Sequence, residues 1–373
     1  MQPAPEPKKS SRILTYDLMR GYFLVAIILN HLYWYPNGLD WVAARGGLFV
    51  SAAEGFSLLA GIILGSVRGR KLLNKPSTVA AKLLVQRSVQ LYITSIVLML
   101  LFTLLGWWFF IDNPGLKPGI RPTSQPFIDV LFGALTYEYI YGWADFLRLY
   151  AIFILFAPLA LWLLRRGKAY IVLLLSILVY ATLPLFQEFT RYSDELLMPV
   201  TWQVIFFGGF VIGFYTKQIS ARWQAIALHK QRYLKTVVFT ITIVTLGANI
   251  LLAFGGGLSD TFSYLHKGLL PYFDKESLPP ARIILFGIWF LASFWLFQKF
   301  EPQIMKFFGW ILLPFGANSL YVYTVHAFVI FLVHMVMKDA SSNIFINIGG
   351  TLAVLMIIWL ALRYKVLAKI IPR

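Results

Sequence analysis

The first apolar stretch of the chain holds three side chains that could do chemistry, Asp17, Arg20 and His31. An ionisable group inside a membrane helix costs at least about 2.5–3.5 kcal/mol, so each is a candidate for a functional role. Eleven residues separate Arg20 from His31, which predicts that both lie on one helical face about 16 Å apart. Asp17 shares this face and could pair with Arg20, within a binding site or as a structural ion pair at the inner membrane edge.

Glu54, in the next apolar stretch, is the expected partner of His31. Because consecutive spans run in opposite directions, the two side chains should lie about 20 Å and 25 Å from the inner membrane edge and could meet. A carboxylate bonded to one imidazole nitrogen makes the other nitrogen a better base, as activation of a hydroxyl group requires. The alternative is a carboxylate buried to neutralise an arginine of the helix bundle, such as Arg148. The same stretch holds small residues that let neighbouring helices approach closely: Ala52, Ala53, Gly55, Ala60, Gly61 and Gly65.

Arg87 opens the third apolar stretch at the expected depth of Arg20. Two guanidinium groups at one depth suit an anionic ligand, whereas the alternative is an Arg87 side chain that extends to the lipid headgroups. Arg148 and Arg282 begin two later spans on the outer side. They could hold the carboxylate of an acyl group or of an acceptor, or simply anchor their helices at the interface.

A polar stripe is predicted near the end of the chain, where four residues follow one another at helical spacing. Such a stripe must face a cavity or hydrogen-bond between helices, because lipid offers no partner. Its members are Asn318, Ser319, Tyr323 and His326. The other ionisable residues of this kind, His334, Asp145 and Asp129, are given no role.

The elements that must position these residues are apolar helices. Hydrophobic residues make up 59% of the chain, against about 45–50% in soluble domains, and they collect into runs long enough to cross a bilayer. The fold class is therefore all-α, a polytopic membrane protein, with a tail at 1–11 and one ten-helix domain over 12–373. The predicted spans are 14–34, 47–67, 83–107, 144–164, 169–186, 200–216, 236–254, 281–298, 316–337 and 344–363.

The basic residues predict the orientation of these spans. With both termini in the cytoplasm, 22 of the 33 Lys and Arg residues lie inside and four lie within spans, in agreement with the positive-inside rule. This excess, with attraction to anionic membrane lipids, explains the net charge of +17 and argues against nucleic acid as a partner. The seven outer residues are Arg45, Lys117, Arg121, Arg191, Lys267, Lys275 and Lys338.

Two further features limit the chemistry. The chain has no cysteine, which excludes disulfides, thiolate nucleophiles and thiolate metal sites, and no bound cofactor or metal is expected. The longest outer loop, 108–143, is expected either to hold a short interfacial helix over an outward cavity or to supply aromatic residues at the headgroup level. No cleavable signal is expected, because the first apolar run contains Asp17 and Arg20.

The motif Asp17-Leu-Met-Arg20-Gly21 followed by His31 resembles the signature of the acyltransferase-3 family of membrane proteins. The stretch from Glu54 to Gly61, Arg87, and the segment from Asn318 to His326 also fit this family. Within it, the chain is most similar to the OpgC group, which succinylates osmoregulated periplasmic glucans. Three stretches carry that similarity: Ala52-Ala-Glu54, Leu147-Arg-Leu-Tyr150 with Ala157-Pro158-Leu159, and Thr201-Trp202-Gln203.

This resemblance implies transfer of a succinyl or acetyl group from cytoplasmic acyl-CoA, as co-substrate, to a hydroxyl of an extracytoplasmic glycan or glycolipid. It assigns His31 as general base and places Arg20 and Arg87 on the acyl donor. The chain departs from the family at Gln90, where many members have a second arginine three residues after the first. The main alternative is a secondary transporter or flippase of an anionic or glycan-type substrate, since charges inside a membrane also mark substrate paths.

Overall fold

A computed structural model describes residues 14–69, 75–143, 145–182 and 197–368. Across these ranges the chain is all-helical, without a strand. Its α-helices in chain order are α1 Leu14–Leu32, α2 Asp40–Ala43, α3 Ala52–Ile63, α4 Ser77–Phe109, α5 Phe127–Thr136, α6 Asp145–Arg165, α7 Ala169–Ala181, α8 Leu197–Phe214, α9 Thr216–Ala225, α10 Leu228–Phe254, α11 Asp260–Leu269, α12 Pro280–Lys299, α13 Glu301–Ala317, α14 Ser319–Val336 and α15 Ile344–Arg363.

Six of the described helices are long and apolar enough to cross a membrane: α4, α6, α10, α12, α14 and α15. A seventh span results if α8 and α9, which meet at a bend of 71°, count as one. The protein is therefore a multi-pass membrane protein. The number of ten spans stays a prediction, because α1 is too polar, and α3 and α7 are too short, to count as membrane spans by length and hydropathy. The cytoplasmic position of both termini also stays a prediction. The predicted tail at 1–11, the predicted span end at 183–186 and Arg191 lie outside the described residues.

Two segments between the predicted spans contain helices. The long loop 108–143 contains the short helix α5, which was one of its two predicted alternatives, while an interfacial position of this helix stays a prediction. Residues 301–317, expected to be mostly a cytoplasmic connection, instead form α13, which continues through Pro314 and is separated from α14 by Asn318 alone. A proline is tolerated here because a neighbouring side chain satisfies the carbonyl oxygen that its ring leaves free, which is that of Trp310, four residues earlier: Nε1 of Trp359 on α15 donates to this carbonyl at 3.1 Å.

Small residues allow the closest helix pairs, as the small residues of the second span led us to expect. On α3, a Cβ atom at Gly61 would lie 2.1 Å from the carbonyl oxygen of Phe206 on α8. On α8, a Cβ atom at Gly209 would lie 2.4 Å from the carbonyl oxygen of Leu58. Reciprocal glycines of this kind let two backbones touch without a side chain between them.

Helices α1 and α14 position most of the predicted site residues. Near the start of both helices, Arg20 donates a hydrogen bond to Ser319. Further along both helices, His31 lies beside His326. Because the two contacts follow in the same order along each helix, α1 and α14 run in the same direction.

Candidate functional site

Two of the cavities along α1 lie at opposite ends of its polar face. The histidine cavity, of about 130 Å³, is lined by His31 together with Asp145 and Tyr323. The arginine cavity, of about 160 Å³, is lined by Arg20 and Arg87. Arg20 and His31, about 16 Å apart on one continuous helix, therefore each line a separate cavity.

The His31 side chain is oriented by a second histidine. Its Nδ1 lies 3.0 Å from Nε2 of His326, and the two rings stack with their centroids 5.2 Å apart. On the far side of His326, Nδ1 lies 2.5 Å from the backbone carbonyl oxygen of Tyr323. His326 is fully buried, so it holds the ring of His31 from behind the cavity wall.

These contacts fix the tautomers of the neutral pair. A carbonyl oxygen can only accept a hydrogen bond, so Nδ1 of His326 carries the proton and its Nε2 has the lone pair. That lone pair accepts from Nδ1–H of His31, which leaves Nε2 of His31 unprotonated. The arrangement thus supplies His31 with a proton-accepting nitrogen, the property that a general base needs.

Glu54 is not the partner of His31, and the predicted pairing is wrong. Its Oε1 accepts from Nε of Arg282 at 2.6 Å, and its Oε2 accepts from the backbone N–H of Ser51 at 3.1 Å in a capping box at the start of α3. Glu54 and the side chain of Arg282 are 0% and 5% exposed. A buried guanidinium needs a compensating charge, so Glu54 neutralises a bundle arginine, as the alternative proposed, but this arginine is Arg282 and not Arg148.

The arginine cavity brings together the two arginines that the resemblance places on the acyl donor and two residues of the predicted polar stripe. Arg20 Nη2 donates to the hydroxyl of Ser319, and Asn318 lines the same wall. Arg87 donates from Nη1 to Gln90 Oε1 at 2.9 Å, so the glutamine at the departure from the family pattern holds the remaining arginine. The structure groups these side chains, and their role in binding stays a prediction.

An aromatic septum, formed by Phe56, Phe146, Tyr150 and Tyr323, lies between the two cavities. The ring of Phe56 is 5.1 Å from that of Phe146 and 6.2 Å from that of Tyr323, centroid to centroid. Phe146 also stacks on Tyr150 at 6.4 Å. Tyr150 lines the arginine cavity, and Phe146 and Tyr323 line the histidine cavity, so these four rings pack between the two cavities.

Two predicted binding residues lie away from both cavities. Arg148 is 2% exposed, its guanidinium lies 5.0 Å from the ring centroid of Tyr137, and it donates to the carbonyl of Tyr139 at 3.2 Å. Asp17 is buried on α1, where a Cβ atom at Gly316 would lie 1.7 Å from its carbonyl oxygen. Neither side chain lines the histidine cavity or the arginine cavity, and their roles in substrate binding stay predictions.

Sequence reasoning missed three charged residues of the histidine cavity: Asp145, Lys117 and Lys275. Asp145, at the start of α6, accepts from the Tyr323 hydroxyl at 3.0 Å and from the amide of Phe146 at 2.8 Å. The sequence could have pointed to the two lysines, because only seven basic residues lie on the predicted outer side and Lys117 and Lys275 are two of them. Across the described residues, no group of three or more His, Asp or Glu side chains could hold a metal.

Comparison with known proteins identifies one family. The sequence model of the family described as OpgC protein matches residues 12–370, which is nearly the whole chain. Neither a curated protein nor a solved structure matches significantly.

Proposed function

The chain belongs to the OpgC family, and from this membership we propose that it is an acyl-CoA-dependent O-acyltransferase of the cell membrane. The family is one of acyltransferases that modify glucans. In this proposal a cytoplasmic acyl-CoA donates a succinyl or acetyl group to a hydroxyl of an extracytoplasmic glycan, the chain crosses the inner membrane ten times, and both termini are cytoplasmic. The wider acyltransferase-3 membership belongs to the proposal as well.

The observation that carries the proposal is the hydrogen-bond chain from His31 through His326 to the Tyr323 carbonyl. In the reaction, Nε2 of His31 removes the proton of the acceptor hydroxyl while its oxygen attacks the thioester carbon. The tetrahedral oxyanion then collapses, the carbon–sulfur bond breaks, and the CoA thiolate leaves. The proton held by His31 passes to this thiolate, so the products are the ester and free CoA.

The two cavities suit the two ends of such a donor. Arg20 and Arg87 offer guanidinium groups to the phosphates of CoA, which bind best to planar, always charged donors. The thioester, at the end of a flexible pantetheine arm, would pass the aromatic septum to reach His31. A septum of rings around that arm would also keep water from the thioester. Only the acyl group then needs to cross the membrane, while the nucleotide stays at the inner face.

Radiolabelled acyl-CoA added to inside-out membrane vesicles tests the proposal. Label should become covalently attached to glycan inside the vesicles, and His31→Ala should lower this rate by about 10²–10⁴-fold, the usual contribution of general base catalysis. The control is His229→Ala, because His229 is an exposed histidine of α10 that lines neither cavity. Normal transfer by His31→Ala would refute the catalytic assignment, and label that enters without a covalent bond would favour the transporter.

A further inference from the structure

Two lysines from separate loops converge on the cavity that contains His31. Lys117 belongs to the loop between α4 and α5, and Lys275 to the loop before α12. The acidic residue of the cavity lining is Asp145, which already accepts hydrogen bonds from Tyr323 and the Phe146 amide. With neutral His31, the lining therefore carries one net positive charge.

The loop that carries Lys275 is fixed on both sides of this residue. Trp202 Nε1 donates to the carbonyl of Lys275 at 3.1 Å, and Thr201 Oγ1 donates to the next carbonyl, of Glu276, at 2.7 Å. Arg282, held by buried Glu54, donates to the carbonyl of Phe273. Because hydrogen bonds hold three carbonyl groups of this loop, its backbone is fixed, and the Lys275 side chain extends from a fixed position.

Two acidic residues, Asp274 and Glu276, flank Lys275 in the sequence, and the carboxylate of Asp274 is hydrogen-bonded within its own turn. Asp274 Oδ2 accepts from the hydroxyl and amide of Ser277 at 2.6 and 2.7 Å. Although burial raises the pKa of this carboxyl, these hydrogen bonds and the amide of Glu276 lower it overall. Asp274 is thus an ionised group directed at its own turn.

Lys117 is held in a similar way and keeps donors for a ligand. Its Nζ donates to the Gly142 carbonyl at 2.9 Å and lies 5.9 Å from the centroid of the Trp143 ring. An ammonium group has three N–H donors, and one is used here. Two ordered cations beside a general base, with spare donors, make an anion subsite at the position of the reacting acyl group.

We propose that Lys117 and Lys275 bind a free carboxylate at the far end of the transferred acyl group. The site would thereby select dicarboxylic donors such as succinyl-CoA over acetyl-CoA. This inference rests on the proposed function, because it assigns specificity within the same reaction. Thr201 acts as a positioning residue that keeps the Lys275 loop in place.

The test measures the ratio of kcat/KM for succinyl-CoA to that for acetyl-CoA, with purified full-length protein in detergent and glucose oligosaccharides as the acceptor probe. Lys275→Met or Lys117→Met removes a charge-assisted hydrogen bond to the carboxylate of the succinyl group, so each should lower this ratio roughly tenfold to hundredfold. The double variant leaves Asp145 as the charged group of the lining and should prefer acetyl-CoA. Thr201→Val should lower the ratio by a smaller factor.

The matched control is Lys267→Met, because Lys267 is an exposed lysine of α11 that lies outside the cavity lining. Its ratio should equal that of the wild-type protein. An unchanged ratio in both lysine variants overturns the subsite, and so does an equal loss with both donors, which would mean that the lysines act on the chemistry or the acceptor. If the wild-type protein acylates nothing with either donor, the proposed function itself fails, and the subsite with it.

Discussion

Replacement of His326 tests whether His31 needs this neighbour to hold it in the tautomer that can accept a proton. In His326→Met, the Nδ1–H of His31, on the side of the ring that faces the fully buried His326, loses its acceptor at 3.0 Å. A buried donor without an acceptor costs about 1–3 kcal/mol, and at 1.36 kcal/mol for each tenfold change this predicts that kcat falls roughly 5- to 150-fold. The loss is smaller than for His31→Ala, because the base itself remains.

The conservative variant His326→Gln provides the control. The oxygen of a glutamine side chain can take the place of Nε2 and accept from His31, so kcat should recover most of its wild-type value. The KM for acyl-CoA should stay the same in both variants, because the arginine cavity lies beyond the aromatic septum. Initial rates with acyl-CoA and purified protein provide both constants. Wild-type kcat in the methionine variant, or equal losses in both, would refute the tautomer argument.

Three further predictions concern the donor site and the fold. Arg87→Gln should raise the KM for acyl-CoA at least about tenfold with little change in kcat, since it removes a charged phosphate ligand; an unchanged KM in initial-rate measurements would exclude Arg87 from the donor site. Gly209→Ala should lower the melting temperature because its Cβ would meet the α3 backbone, while Gly208→Ala, with no heavy atom within 4 Å, should leave it unchanged or raise it slightly. Glu54→Gln should destabilise the protein by about 3–5 kcal/mol, and Arg282→Met in that background should restore part of this loss; additive losses in thermal denaturation would contradict a buried ion pair.

Features that depend on one helix were accessible from the sequence. The Arg20–His31 spacing predicted two polar positions on a single face, and the structure places a cavity at each. The small residues of α3 predicted close packing, which the contact of Gly61 with α8 confirms. Both inferences need only the helical repeat and the size of a side chain, which are local properties.

The sequence could not predict contacts that depend on which of several distant residues becomes the partner. Glu54 has an arginine partner 228 residues away in the chain, and several arginines of the predicted outer side were equally plausible by depth alone. His326 was recognised as part of a polar stripe, but its contact with His31 depends on the packing of α1 against α14. Helix α13 was missed because charged residues and Pro314 made 301–317 resemble a connecting loop, whereas packing against α1 stabilises it as a helix.

The position of Glu54 changes how a loss of activity should be interpreted. Glu54 holds Arg282, Arg282 holds the carbonyl of Phe273, and the same loop carries Lys275 into the histidine cavity. A Glu54 variant can therefore lose activity without any part in proton transfer, so activity alone cannot distinguish a catalytic carboxylate from a structural one. The two roles differ in selectivity, because a loop that has moved weakens the binding of an acyl carboxylate, while a missing base slows every donor equally. A folded Glu54→Gln protein with a reduced preference for succinyl-CoA over acetyl-CoA would support the structural role, and an equal loss with both donors would return Glu54 to the chemistry.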